Sequence, residues 1–408
     1  MGDGSRSAVN RTAAAAVLRG AAVLQTIPRL DVGGAERTTL EVADALVEAG
    51  AHAHVATEGG VLQKEAEGLG AVLHAGPFSS KSPWTIWRNA ARLTAIVKTS
   101  GAQILHARSR APAWSALFAA RRAGVPFVTT YHGVYEARSA MKRFYNGVMA
   151  RGDVVIANSN FTRARILSEH RTDPSKIVVI PRGVDLKRFD EAAVTAERRA
   201  ALASVWGIAP PASGDEEAPR QRIAVAVPGR LARWKGQHVA VRAAQLLRES
   251  GQQGRFQFML VGGVKEPNAY AEELRVAIVA AGLGDMVKMV GHCADMPAAL
   301  SLSDVVVSPS VRPEAFGRVA VEAQAMGRPV IAADHGGARE TILQGETGWR
   351  TPPGDAEALA AVLSDFAKMD RARRARMGDA ARRRAETLYS ADEMCASTLR
   401  VYADLLTR

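Results

Sequence analysis

Residues 312–330, RPEAFGRVAVEAQAMGRPV, carry two carboxylates, Glu314 and Glu322, with seven residues between them in a stretch that is otherwise apolar almost all round. A carboxylate on a buried helix needs a partner, which can be a ligand hydroxyl or a neighbouring arginine. Pro313 and Gly317 predict that Glu314 sits in a loop and that a helix runs from about Phe316 to Met326. A second charged constellation lies upstream in VPGRLARWKGQHVAV, where Arg230 and Lys235 flank a loop leading into a helix near Gly236. Two cations beside a helix N-terminus can hold a diphosphate and stabilise it as it leaves; on their own they would equally suit solvated surface.

The third constellation, LDVGGAERTTL, places Gly33 and Gly34 just before a helix that starts near Ala35. Such a turn admits a ligand or another backbone closely and offers unpaired N–H groups to an anion; it is also what a tight strand-to-helix turn needs. His132 in TTYHGVY and His106 in ILHARSR end two successive apolar runs, and a histidine there is either structural or site-lining. Neither D-x-D nor G-x-G-x-x-G occurs, so the residues suggest no metal-holding carboxylate pair and no dinucleotide fingerprint.

The elements that must carry these groups alternate short β-branched runs with longer Ala- and Leu-rich segments, the pattern of a parallel sheet with crossover helices. The first half offers AAVLQTIP, AHAHVATE, QILHARS, PFVTTYHG, DVVIANS and IVVIPRGV as strands; the second offers RIAVAVPGR, FQFMLVGG, VKMVGH, DVVVSPS and PVIAADHGG. The expected organisation is a tail over 1–18, a Rossmann-like domain over 19–195, a Pro/Gly/Ser-rich linker over 196–221, a second such domain over 222–386, and a helix over 387–408 returning to the first. Two doubly wound sheets would present the ends of their strands across a cleft, where ligands of such sheets bind.

With 408 residues, 47% hydrophobic and 23% charged, the chain suits two soluble domains. Its formal charge of +12 favours anionic partners. Aromatics total only 5% and no nucleic-acid-binding motif appears, so nucleic acid is not an expected partner. Cys293 and Cys395 are too few for a disulfide framework, which favours a reducing, cytoplasmic setting. No run of apolar residues is long enough to span a bilayer. The segment YEARSAMKRFYNGVMARGD puts Met141, Phe144, Tyr145, Val148 and Met149 on one helical face with Lys142, Arg143 and Arg151 outside it. That face either packs into the core or rests on an anionic membrane.

Taken in order, GGAER after the first strand, GR and KG in the loop opening the second domain, and the E-x7-E of PEAFGRVAVEAQAMG resemble glycosyltransferase family 4 over roughly Ala22 to Leu406. The resemblance implies the α/β GT-B fold and retaining transfer from a nucleotide-activated hexose, UDP- or GDP-linked, without cofactor or metal, to an envelope glycan or glycolipid such as a lipopolysaccharide core. It also implies roles by position. Arg230 and Lys235 match the diphosphate-binding pair, Glu314 the acid beside the donor sugar, and Glu322 the acid on the ribose. Amides around Ala315, Phe316, Gly317 and Arg318 face sugar and phosphate, Gly291 and His292 lie near the base, and Gly33 and Gly34 close over the diphosphate and acceptor. His132 stands where many members place a histidine near the reacting carbon. VGGVKEP departs from the family's Gly-Asp-Gly-Pro type of turn, and the linker carries an unusual insertion. Two other functions would suit parts of this pattern: a GT-B-fold sugar-nucleotide epimerase and a basic nucleic-acid-binding protein. Work at the inner face of the inner membrane is the expected location.

Overall fold

The computed structural model describes residues 12–31, 33–135, 139–208, 222–263 and 269–408. The chain divides into two compact units, residues 1–183 with 391–408, and residues 184–390.

Unit 1 is built on a seven-stranded sheet in the order β3-β2-β1-β4-β5-β6-β7. Its strands are β1 (Ala22–Thr26), β2 (His52–Thr57), β3 (Val72–Ala75), β4 (Ala102–Ala107), β5 (Phe127–Tyr131), β6 (Val154–Ala157) and β7 (Ile177–Val179). All pairings are parallel. Parallel strands need crossovers on the sheet's faces, so both faces are covered, and the inner strands are mainly apolar with a few buried polar residues such as Gln25, His106 and Thr129. One face buries Val23, Val55, Ile104 and Val128 with the helix Gly34–Glu48 and the C-terminal helix Ala391–Leu406. The other buries Leu24, Leu105, Phe127 and Val155 with Trp114 and Leu117.

Unit 2 repeats the plan with six strands in the order β10-β9-β8-β11-β12-β13. They are β8 (Ile223–Pro228), β9 (Phe256–Val261), β10 (Val287–Gly291), β11 (Val305–Ser308), β12 (Val330–Ala333) and β13 (Gly348–Thr351). These pairings are parallel too. In each unit the strand order reverses beside the first strand, between β1 and β4 and between β8 and β11, and such a switch point leaves a crevice outside the strands' C-terminal ends.

The structure corrects four sequence expectations. Residues 12–18, assigned to the tail, are helical, with Leu18 fully buried against the sheet; an Ala-rich run ending in Leu is a good helix former once its apolar side has a surface to cover. Residues 196–206, assigned to the linker, form a helix capped by Thr195, whose Ala203 and Trp206 are core residues of unit 2; residues 209–221 of that linker lie outside the described residues. The helix after β11 runs Arg318–Ala325 rather than 316–326, because Gly317 takes the left-handed conformation (φ 83°) and Phe316 turns into the core. The single apolar face expected across 141–149 divides. Val148 and Met149 are buried, whereas Met141 and Phe144 stand exposed on the helix Ala140–Asn146. Two short edge strands, β3 and β13, had no counterpart among the expected strands.

Candidate active site

In unit 2 the predicted residues lie at the C-terminal ends of the strands, in the loops after β8 and β11 and at the end of β10. The loop after β8 carries Arg230 and Lys235, the loop after β11 carries Glu314, and β10 ends in Gly291, which has positive φ and is followed by exposed His292. Lys235 Nζ lies 2.8 Å from Glu314 Oε1, both side chains being largely buried. The Ser310 hydroxyl donates to the same oxygen. Burial alone would raise the Glu314 carboxyl, but the charge of Lys235 and the hydrogen bonds from Lys235 and Ser310 outweigh it and hold the group below its ordinary value. The carboxylate is therefore ionised at neutral pH and fixed in direction.

Two loops share this arrangement through backbone contacts. Val311 N–H donates to the Trp234 carbonyl at 2.9 Å, and Gly236 packs against the Pro309 carbonyl where any Cβ would collide. Lys235 Nζ also lies 4.7 Å from the centre of the Trp234 ring. Gln237, buried at the start of the following helix, donates to the carbonyls of Gly229 and Arg230 and so holds the Arg230 backbone while its side chain stays exposed. Gly262 sits against the Gly229 carbonyl, a close approach that explains the first glycine of the VGGVKEP turn; residues 264–268 lie outside the described residues.

Glu322 points elsewhere. Arg318 Nε donates to its Oε1 at 2.7 Å one helical turn away, so an arginine is its partner, the alternative the sequence left open. Ala315 and Phe316 are buried and Phe316 packs edge-on against Tyr389, leaving the helix to begin at Arg318 with its first N–H groups unpaired within the helix.

Sequence reasoning missed the support from β12. In DHGG, the His335 ring donates from Nε2 to the Ser310 carbonyl at 2.8 Å. Gly337 N–H donates to the Glu314 carbonyl at 2.9 Å, and a Cβ on Gly336 would strike the Glu314 backbone. A histidine followed by two glycines at a strand end was the available signal.

Unit 1 brings together His132, Gly34 and Arg182, the last of which sequence reasoning did not single out. Arg182 Nη2 donates to His132 Nδ1 at 2.8 Å. A guanidinium has no acceptor, so Nδ1 must accept, and the ring is neutral with its proton on Nε2. Burial, followed by the charges of Arg182 and Arg108, holds His132 well below its ordinary value, in keeping with that neutral form. Its Nε2 is shielded from solvent and takes no hydrogen-bond partner among the described residues. Gly34 allows the Arg182 guanidinium to lie against the start of the helix Gly34–Glu48, where a Cβ would collide with it; Gly33 lies in extended backbone just ahead.

His106 has a different place. It is fully buried, its Nδ1 is 2.6 Å from the Tyr402 hydroxyl and its Nε2 is 2.7 Å from the Thr130 hydroxyl, so both ring nitrogens are occupied. It joins the C-terminal helix to the strands beneath His132. Beside it Arg108, also buried, donates from Nε to Gln25 at 2.7 Å.

Two parallel-sheet units, each with polar groups gathered at the C-terminal ends of its strands, define a GT-B architecture. Residues 32–188 match the family model for glycosyltransferase family 4, and residues 212–384 match that for group 1 glycosyl transferases. A D-inositol 3-phosphate glycosyltransferase of Jonesia denitrificans is 31% identical over 70% of this chain and 67% of its own length. A protein named as the colanic acid biosynthesis glycosyltransferase WcaL of Salmonella typhimurium is 29% identical over 59% of this chain. The matches span 55% to 64% of the length of the first curated relatives. Among solved structures, a glycosyltransferase of Rickettsia africae superposes with a TM-score of 0.85 at 32% identity, covering 95% of this chain and 99% of that one. Anabaena HepE, solved with UDP and glucose, shares the fold at a TM-score of 0.78 and 23% identity, over 93% and 98% of the two chains. The chain belongs to the family 4 glycosyltransferases of GT-B fold.

Proposed function

We propose that the protein is a retaining, metal-independent glycosyltransferase that moves a hexose-type sugar from a UDP- or GDP-sugar to an envelope glycan or lipid-linked acceptor of the lipopolysaccharide-core kind. The observation that carries this reading is the buried Lys235–Glu314 pair at the β8/β11 switch point. An arriving diphosphate would take over Lys235 with Arg230, and Glu314 would then turn its charge on the donor sugar's hydroxyls. Glu322 offers the carboxylate oxygen that Arg318 leaves available to a ribose, and the amides at Gly317 and Arg318 face the phosphates. As the bond from the anomeric carbon to the diphosphate breaks, the acceptor oxygen attacks from the same face and its proton passes to the departing phosphate. Lys235 and Arg230 supply the positive charge that this departure needs. His132, proton on Nε2, serves as a hydrogen-bond donor to the sugar rather than as a base.

The names of the relatives support an envelope role: WcaL by colanic acid, and WaaG, which shares the fold at 19% identity and a TM-score of 0.70, by lipopolysaccharide. Work at the cytoplasmic face of a membrane accords with two unpaired cysteines.

The test is incubation of pure protein with UDP- and GDP-hexoses, with and without a glycolipid acceptor. Transfer should require the acceptor and fall about a hundred- to a thousandfold in Lys235→Ala. Release of free UDP without acceptor would mark a sugar-nucleotide epimerase instead. Near wild-type turnover in both Lys235→Ala and Glu314→Ala would refute the assignment of roles.

A further inference from the structure

From residue 68 to residue 152 the sequence contains twelve lysines and arginines and one acid, Glu136. For 85 residues of a globular domain that imbalance is large, and it coincides with an unusual surface. On the helix Pro83–Ser100, Trp84 and Trp87 are 65% and 57% exposed and stack with ring centres 5.4 Å apart. Ser115 donates to the Ile86 carbonyl at 3.0 Å, which holds this end of the helix on the next one, Arg110–Ala123. There Trp114 lies 5.8 Å from Phe118 and 5.1 Å from Phe144, and Arg151 stands over both the Trp114 and Phe144 rings. Phe118 is 43% exposed, Phe144 61% and Met141 82%. Four large aromatics and a methionine left in water mark an interaction surface.

Beside Phe144 opens a concavity of about 630 Å³ lined by the cations Arg143, Arg151 and Arg171, with His170 and Glu169. Arg165 already pairs with Glu169 at 2.6 Å, so the unspent charge there is positive. Residues 147–151 lead into β6 and residues 170–172 towards β7, which puts the concavity by the N-terminal ends of the strands, away from His132 and Gly34 at the C-terminal ends. It is separate from the transfer chemistry.

We propose that this face of unit 1 docks on an anionic phospholipid surface, its tryptophans and phenylalanines entering the interface and a headgroup phosphate seated among Arg143, Arg151, His170 and Arg171. Aromatics that carry a polar edge settle at a bilayer's headgroup level, and each Lys or Arg near an anionic leaflet strengthens partition by about fivefold. The inference stands on exposure and charge and does not require the transferase reading.

The experiment is co-sedimentation of the full chain with phosphatidylglycerol/phosphatidylcholine vesicles and with pure phosphatidylcholine vesicles at physiological salt. Wild type should sediment with the former and scarcely with the latter, with a blue shift in tryptophan emission. Trp84→Ser with Trp87→Ser should abolish that shift and lower partition at least tenfold. Arg143→Ala with Arg171→Ala should lower it by about twenty-fivefold, two fivefold contributions. All four residues are exposed, so folding should survive, and an unchanged melting temperature and nucleotide-sugar response would confirm it. The proposal fails if wild type ignores the anionic vesicles, if the variants sediment like wild type, or if single-stranded DNA binds the same residues more tightly than the vesicles do. A melting shift with soluble glycerol phosphate but no vesicle binding would also overturn it, by assigning the concavity to a free phosphate ester.

Discussion

The strand ends of the two units solve the same placement problem with opposite electrostatics. Unit 2 sets a charged pair, Lys235 and Glu314, at its strand ends, each ion held by the other. Unit 1 sets a neutral imidazole at its strand ends, His132, held uncharged by burial first and then by the cation Arg182. A paired charge suits a group that must bind and release a diphosphate; a neutral donor of fixed tautomer suits one that must hold a hydroxyl and not take its proton. The difference is what the following substitutions should break or sharpen.

The largest effect should come from Lys235→Ala. Beyond the loss of turnover, it strands a buried carboxylate, at a cost of about 3 kcal/mol by chemical denaturation. Adding Glu314→Gln should recover much of that stability and none of the activity. Full recovery of both would mean that the pair is purely structural. In unit 1, Arg182→Met should lower kcat by about tenfold to a hundredfold with little change in donor KM, and nitrogen-15 spectra should show His132 losing its fixed Nε2–H tautomer. His132→Asn, which keeps an N–H donor, should retain more activity than His132→Ala; equal losses would point to a base.

A third effect is a pH dependence concentrated in unit 1. Burial first, with like charges in most cases, lowers five histidines there, His54, His74, His106, His132 and His170, against His238 and His335 in unit 2. A lowered histidine means that the unfolded chain binds protons first. Stability is then full above the ordinary value of 6.5 and declines as the pH falls below it towards the folded-state values. Glu314, held low, loses its contribution only below its ordinary 4.5. Hydrogen exchange between pH 7.5 and 5.5 should therefore show unit 1 loosening before unit 2, and the reverse order would contradict the comparison. The smallest effect expected is that of Gly317→Ala, about 1–2 kcal/mol for a side chain forced into the left-handed region at φ 83°.

Much of this was legible in the sequence because the signals were local. The inner strands are mainly apolar runs, and PEAFG and RWKG announce their loops through proline, glycine and charge. The edge strands VLHA and GWRT were not legible, since they are short and half-exposed and lack a clear period. The helix ending in Trp206 was hidden by the Pro- and Gly-rich segment that follows it. Arg182 and His335 escaped because their meaning lies in partners far along the chain: His132, fifty residues from Arg182, and Ser310, twenty-five from His335.

The most direct test of the account is the melting temperature of wild type, Lys235→Ala and Glu322→Ala with UDP-, GDP- and ADP-hexoses. A ligand at a hundred times its Kd adds about 2.7 kcal/mol to stability, which such a shift reads easily. The account predicts that one uridine or guanosine diphosphate sugar raises the wild-type melting temperature and that both substitutions diminish the rise. No shift with any of them, or an equal shift in all three proteins, would contradict it.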